Sequence, residues 1–509
     1  MQNQTEKTPD NADYRYDTLI KNATVFDGSG SEGEIKDVAI KGDKIVALGK
    51  LENELAIDII DAEGLTLAPG FIDVHTHDDL EIIRNPQMLN KISQGVTSVI
   101  IGNCGISASP YASDKEPVDP INLLGKKAEF VFPELAHFVE KVAQVKPNVN
   151  VAALVGHTSL RAQVMDTLDR PATSEEIEKM VLLLNQALEQ GAKGLSSGLA
   201  YHNAHAAPSE EVQALVQHLK TYDAIYTTHL RTEFDGIIDA LDEAFITAKQ
   251  GKVPLIISHL KCAGKANWGR APEVLAHINN HQSSQKISCD CYPYSASSST
   301  LDLKQVTNDF SIFITWSEPH PDMAGQTLAS IAEQWQTSLE VAAKRLQPAG
   351  AVYHGIAEQD VRQILKFPST MVGSDGLPCD PHPHPRLWST FPRVLGHYCR
   401  EKQILELSQA IHKMTGLSAT NFKLTQRGFI RPNYYADLVL FDDKTVEDVA
   451  DFVTPIAISK GIMTVWVNGQ KSYQSGDEHG DAAFVSTEGA GRFLTHTCDS
   501  RKSEVNYDN

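Results

Sequence analysis

The stretch GFIDVHTHDD, residues 70–79, runs from a glycine through a short apolar segment into two histidines and two aspartates. Alternate residues of a strand share a face, so His75 and His77 point to one side, together with Asp73. A strand that ends in reactive side chains rather than in a plain turn is a recognisable unit, and it recurs along the chain. VTSVIIGNCG (96–105), NVNVAALVGH (148–157), AKGLSSGL (192–199), AIYTTHLR (224–231), VPLIISHLK (253–261), KISCDCYPY (286–294) and STMVGSDG (369–376) bring the count to eight with the opening stretch.

Between these runs lie longer segments with helical periodicity, such as SEEIEKMVLLLNQALEQG (174–191) and SEEVQALVQHLKTY (209–222). Eight strand-then-helix units predict an α/β fold, a distorted (β/α)8 TIM-like barrel whose C-terminal strand ends build the active site. An open doubly wound sheet would carry a glycine-rich phosphate turn, and neither GxGxxG nor GxxxxGK[ST] occurs.

The flanks read differently. DTLIKNATVFDGSG, KDVAIKGDKIVALG and AIDIIDAEGLTLAPG near the start, and YADLVLFDD and GIMTVWVNGQKSYQ near the end, are short β-rich runs broken by turn signals. Residues 15–67 and 425–480 are therefore expected to form one small β-sandwich domain around a barrel of residues 68–424, with tails at 1–14 and 495–509. An excursion at about 301–352 is longer than a connecting helix requires and is a candidate lid.

Composition narrows the functional classes. The chain has 509 residues, 41% of them apolar, with 65 acidic against 45 basic side chains and a formal charge of −20. That balance leaves no basic face for nucleic acid or an anionic bilayer, so a small-molecule substrate is expected instead. No apolar run resembles a signal peptide or a membrane span, and the expectation is a soluble cytoplasmic protein. Seven cysteines at scattered positions argue against a disulfide framework.

The strand ends carry the chemistry. His75 and His77, His229 in YTTHLR and His259 in IISHLK place four imidazoles at three strand ends, and imidazole is a common metal ligand. A lone histidine is more often a hydrogen-bonded core residue; four at one rim are not explained by packing. Asp375, flanked by glycines in TMVGSDGLP, fits a general base for a metal-activated water, although Ser-Asp-Gly is also a common turn. Cys104 in GNCG is open to several readings: a small buried hydrophobe, a nucleophile or a ligand. Strand alternation puts Lys261 on the face of His259 and Tyr292 on that of Asp290, with Cys289 and Cys291 turned outward. Arg386, in the proline-rich PHPHPRLW, carries the planar fork suited to a carboxylate, or is a surface charge. His157 and Arg231 are candidates for orienting a ligand or the substrate, a structural hydrogen bond being the alternative. His202 and His205 are assigned no role.

PGFIDVHTH, GNCG, GHTSLR, GLSSGLAY, THLRTE, SHLK, DCYPYSASSSTL, GSDGLPCDPHPHPR and TFPRVLGHYCRE together resemble the N-acyl-D-amino-acid deacylases, the D-aminoacylases of the amidohydrolase superfamily. The resemblance runs in order from about residue 15 to GIMTVWVNGQ and implies zinc-dependent hydrolysis of N-acyl-D-amino acids to a carboxylate and a free D-amino acid. By position it implies a tight zinc site at Cys104, His229 and His259 and a second, weaker one at His75 and His77. It also implies catalysis by Asp375 and binding of the substrate carboxylate by Lys261, Tyr292, Ser298 and Arg386. Many relatives of this fold bridge two metals with a carboxylated lysine. Lys193, the only lysine of the fourth run, lies at its start, so Cys104 is expected to take that place.

Two rivals stand beside this reading. A cyclic-amide hydrolase of the dihydropyrimidinase or hydantoinase type would share barrel and metals but is expected to use a rim lysine. A non-catalytic barrel scaffold is expected to have lost ligands, and here every candidate ligand is present.

Overall fold

Residues 14–51, 55–476 and 482–495 of a computed structural model are described here. The expected tails fall outside them except for Tyr14 and Thr495, as does Cys498; residues 52–54 and 477–480 of the expected β-domain are also outside.

Eight strands form the central sheet: Phe71–Asp73, Val96–Ile101, Asn150–Gly156, Gly194–Gly198, Ile225–His229, Leu255–Ile257, Ile287–Cys291 and Thr370–Val372. Each runs parallel to the next in this order. The eighth returns to the first through a parallel bridge between Thr76 and Gly376 and a hydrogen bond from Asp375 N to His75 O at 2.8 Å. The ring therefore closes at its C-terminal rim. Strands covered by helices outside and side chains inside are buried on both faces, which is why they read as apolar runs; Val96–Ile101 and Asn150–Gly156 are buried throughout. Only glycine fits at 373, because a Cβ there would stand 2.5 Å from His75 Cβ.

The outer helices follow from the same physics. Ser174–Glu189 starts at a capping box in which Thr173 Oγ1 accepts from Glu176 N and the Glu176 carboxylate accepts from Thr173 N. It buries Met180, Leu184, Ala187 and Leu188, one stripe at helical spacing.

Strands from both ends of the chain join in a second sheet of nine. Thr66–Pro69 pairs antiparallel with Leu438–Phe441, and Ile20, Val38, Leu67, Leu438 and Trp466 belong to its own apolar cluster. Only Gly70 separates Pro69 from the first barrel strand, and its N–H donates to Asp437 O at 2.8 Å.

The excursion is a small folded unit. Strands Ser297–Thr300, Ile312–Ser317 and Ala349–Tyr353 form an antiparallel sheet backed by helices Leu328–Gln334 and Leu339–Leu346. Leu301, Ile314, Leu328, Ile331 and Leu346 give it a core of its own. The six described cysteines are free thiols. Among the described residues no helix is long and apolar enough to cross a membrane.

A buried polar knot ties the nine-stranded sheet to the barrel. Asp437 accepts from Asn150 Nδ2 at 3.2 Å and from Asn468 N at 2.8 Å and is paired with Arg427, both charged residues being at most 5% exposed. Removing one partner of such a pair strands the other charge, at a cost of about 3–5 kcal/mol. Asp437→Ala is therefore expected to lower the thermal unfolding midpoint clearly, as read by calorimetry. An unchanged midpoint would remove this knot from the stability argument.

Candidate active site

The rim of the barrel is built from residues held in unusual backbone conformations. Cys104, His259 and Asp375 all have positive φ, at 53°, 34° and 51°. L-residues occupy that region at a cost that the surrounding structure must outweigh. Around Cys104 the supports are visible. The Asp79 carboxylate accepts from Gly102 N at 3.2 Å and Ala108 N at 2.9 Å, and Asn103 Nδ2 donates to Ile100 O at 2.8 Å. Gly105 lies so close to the fourth strand that a Cβ would be 2.6 Å from Gly198 N. The corner GNCG is thus clamped from three sides, and its thiol projects into the barrel mouth.

There it meets the histidines. His75 Nε2 stands 3.1 Å and His259 Nε2 3.2 Å from Cys104 Sγ, and His75 Nε2 is 3.5 Å from Asp375 Oδ1. One donor atom from each of His75, Cys104, His259 and Asp375 lies within 4.8 Å of the others, and all four residues are buried. His77 Nε2 donates to Asp375 Oδ1 at 3.1 Å. The His229 and His259 rings are 4.3 Å apart, and His229, Glu233 and His259 form an adjoining donor group. All five expected metal-site residues and Asp375 thus converge.

The electrostatics of this cluster are those of mutually stabilising charges. Burial pushes the Cys104 thiol up, but the imidazoles of His75 and His259 outweigh it and hold the thiol well below its ordinary value. Burial likewise opposes ionisation of Asp375, yet Arg386 and the histidines keep it well below the usual carboxylate range. His77 is raised to about 9, Asp375 and the thiol overcoming its desolvation.

Two carboxylates without an expected role stand behind the histidines. Asp290 faces His75 Nδ1 at 3.3 Å and accepts from His259 N at 2.9 Å. Glu233 Oε1 lies 3.0 Å from His259 Nδ1 and accepts from Lys261 Nζ at 2.5 Å. A carboxylate on Nδ1 fixes the tautomer in which the Nε2 lone pair is free. In both histidines Nε2 is the atom that faces Cys104. The signal was present for Asp290, which alternates with Tyr292 on one strand; nothing in THLRTE singles out its glutamate.

The remaining expected residues lie beside this cluster. Lys261 does meet His259, Nζ to Nδ1 at 3.0 Å, but not by strand alternation: the strand stops at Ile257 and His259 turns left-handed. Arg386 is fully buried at the start of helix Arg386–Arg393. Its guanidinium lies 4.6 Å from the centre of the Tyr292 ring, Nη1 faces Asp375 Oδ2 at 2.9 Å, and Nη2 donates to Ser298 O at 3.1 Å. The Tyr292 hydroxyl, Ser298 Oγ and Arg386 Nε are buried with no hydrogen-bond partner. Cys289 and Cys291 sit in the apolar layer, away from the cluster.

Other candidates are placed elsewhere. Arg231 reaches Glu243 at 2.7 Å and the carbonyls of His205 and Ala207, fastening a loop to helix Ile237–Gly251. His202 and His205 are exposed. Lys193 Nζ donates to Thr495 O at 3.0 Å and Lys423 O at 3.4 Å, at the opposite end of the barrel from the rim. His157 Nε2 is 3.0 Å from Glu211 Oε1, which also pairs with Arg161.

That last group has a pH signature. Burial raises the Glu211 pKa, but His157 and Arg161 pull it down from 4.5 to about 2. A depressed carboxylate adds stability that is fully present above 4.5 and is lost as the pH falls toward 2. The stability difference between wild type and Glu211→Gln, from denaturant midpoints, is expected to be largest above 4.5 and to shrink on acidification through that window. A pH-independent difference would contradict this assignment.

Comparison with known proteins agrees with the geometry. Residues 58–282 and 325–473 match the model of the amidohydrolase family. The chain is 44% identical over 465 residues to the N-acyl-D-aspartate deacylase of Alcaligenes xylosoxydans xylosoxydans, covering 91% of this chain and 93% of that one. The crystal structure of D-aminoacylase superposes with a TM-score of 0.91 at 43% identity, over 94% of this chain and 100% of the other. The N-acyl-D-glutamate deacylase of Bordetella bronchiseptica, solved with zinc and a phosphonate mimic of the tetrahedral intermediate, gives 0.89 at 38% identity, over 94% and 99%. With its rim of histidines, thiol and carboxylate on a closed eight-stranded barrel, the chain belongs to the N-acyl-D-amino-acid deacylase family of amidohydrolases.

Proposed function

We propose that the protein hydrolyses the linear amide of N-acyl-D-amino acids, using zinc held by His75, His77, Cys104, His229 and His259. The observation that carries the reading is the pairing of two features at one rim. Imidazole Nε2 atoms, braced by carboxylates on Nδ1, face the Cys104 thiol. Beside them, three buried donors around Arg386 lack any protein partner. Nitrogen and thiolate donors of this kind fit zinc. Buried donors left unpaired are costly unless a ligand satisfies them, and Tyr292, Ser298 and Arg386 suit a carboxylate.

When bound, the ion supplies Lewis acidity toward the acyl oxygen and lowers the pKa of the attacking water. The protein's own residues do the rest. Asp375, held as an anion by Arg386 and the histidines, accepts the proton of that water on its carboxylate and passes it to the departing amide nitrogen. Lys261 and Arg386, with the Tyr292 and Ser298 hydroxyls, hold the substrate carboxylate and so fix the scissile bond against Asp375. The departing group leaves as a free D-amino acid. A cyclic amide carries no such free carboxylate, and the lysine of the fourth strand, Lys193, is anchored at the far end of the barrel, away from the rim.

The reading is tested by amine release from N-acetyl-D- and N-acetyl-L-amino acids by protein of measured zinc content. D substrates are expected to turn over, with Asp375→Asn losing about 10²–10⁴-fold in kcat. Equal turnover of the L series, or full activity in the variant, would overturn it. In the same preparations Cys104→Ala is expected to lose metal and activity together. Cys104→Ser keeps the fold, by circular dichroism, but retains less zinc, because oxygen replaces the softer sulfur. Equal zinc in all three proteins would make Cys104 a packing residue.

A further inference from the structure

On the outer face of the barrel, helix Ile237–Gly251 lies beside helix Ala271–Gln282. His277 and His281, one turn apart on the second helix, point toward Asp242 on the first, and one donor atom of each lies within 4.8 Å of the others. We propose that Asp242, His277 and His281 form a surface site for a borderline divalent cation such as zinc or cobalt, separate from the active site.

The local structure prepares these side chains for it. His281 Nδ1 donates to His277 O at 3.0 Å, which leaves the lone pair on Nε2. His277 Nε2 and Asp242 Oδ1 face each other at 2.7 Å. The Phe245 ring lies 4.5 Å from that of His281 and 5.6 Å from that of His277, bracing both imidazoles from the first helix. Two nitrogens and one carboxylate oxygen, each about 2.0–2.1 Å from zinc, lie about 3.3 Å apart in a tetrahedral site. Reaching that arrangement opens the 2.7 Å His277–Asp242 contact by about 0.6 Å, moves the His277 proton to Nδ1 and draws the His281 donor inward from within 4.8 Å. Asp242, with a side chain 46% exposed, has the freedom to move. Three protein ligands leave further positions for water, so the ion is exchangeable. All three donors are partly exposed, so it enters from solvent. Its binding joins the helices that follow the barrel strands Ile225–His229 and Leu255–Ile257.

The test uses the full-length holoenzyme. Zinc uptake is measured by equilibrium dialysis and cobalt uptake by visible absorption, for wild type, His281→Gln and Asp242→Ala. Wild type is expected to take up one ion per chain more than either variant, and excess zinc is expected to raise its thermal midpoint but not theirs. Both variants should hydrolyse substrate at the wild-type rate, since neither residue touches the rim. Equal uptake in all three proteins, or a midpoint shift that persists in the variants, would overturn the assignment.

Discussion

Closure of the ring between the first and eighth strands is the constraint on which the site depends, and a buried ammonium reinforces the backbone bonds that make it. Lys91 Nζ donates to Asp73 Oδ2 at 2.8 Å and Ser374 Oγ at 3.0 Å and pairs with Asp78 at 3.1 Å, with none of the lysine exposed. Asp73 in turn accepts from Ser374 N at 2.8 Å. His75 and His77 therefore stand in fixed relation to Asp375, although some three hundred residues separate them. A lysine so deep in the fold is costly to desolvate, and only the two carboxylates keep it charged.

The same logic of opposed buried charges extends across the rim. Lys261 is balanced by Glu233, and Arg386 by Asp375. In a medium of low polarity such pairs are strong only when nearly every partner is in place, so the site assembles as a network rather than residue by residue. Local contacts hold Cys104, His259 and Asp375 in their left-handed conformations: the Asp79 and Asn103 bonds around Cys104, Asp290 on His259 N, and His75 O on Asp375 N.

Much of this was legible in the chain. Parallel strands buried on both faces must be apolar, so the eight runs stand out, and their reactive ends mark one rim. His75 and His77 declare themselves by spacing. Glu233 does not: its partners, His259 and Lys261, lie on the next βα unit, and only the closed ring brings them together. Lys261 shows that a correct neighbour can follow from an incomplete reason, since the contact forms across a turn and not along a strand. Arg386 could not be placed while PHPHPR read as a loop. In the structure His384 Nδ1 accepts from Arg386 N at 3.0 Å, and the helix begins there. His157, at the end of a strand like the others, instead belongs to a buried pair with Glu211 behind the rim.

The unit formed by residues 297–353 carries its own apolar core, yet its first strand brings Ser298 to the guanidinium of Arg386. The Ser298–Arg386 contact therefore joins a separately cored unit to the cluster on the barrel rim. Substitutions within that unit's core lie apart from the residues that close the barrel. The part of the chain that meets Arg386 from outside the barrel is thus free to change at a different rate from the part that closes it.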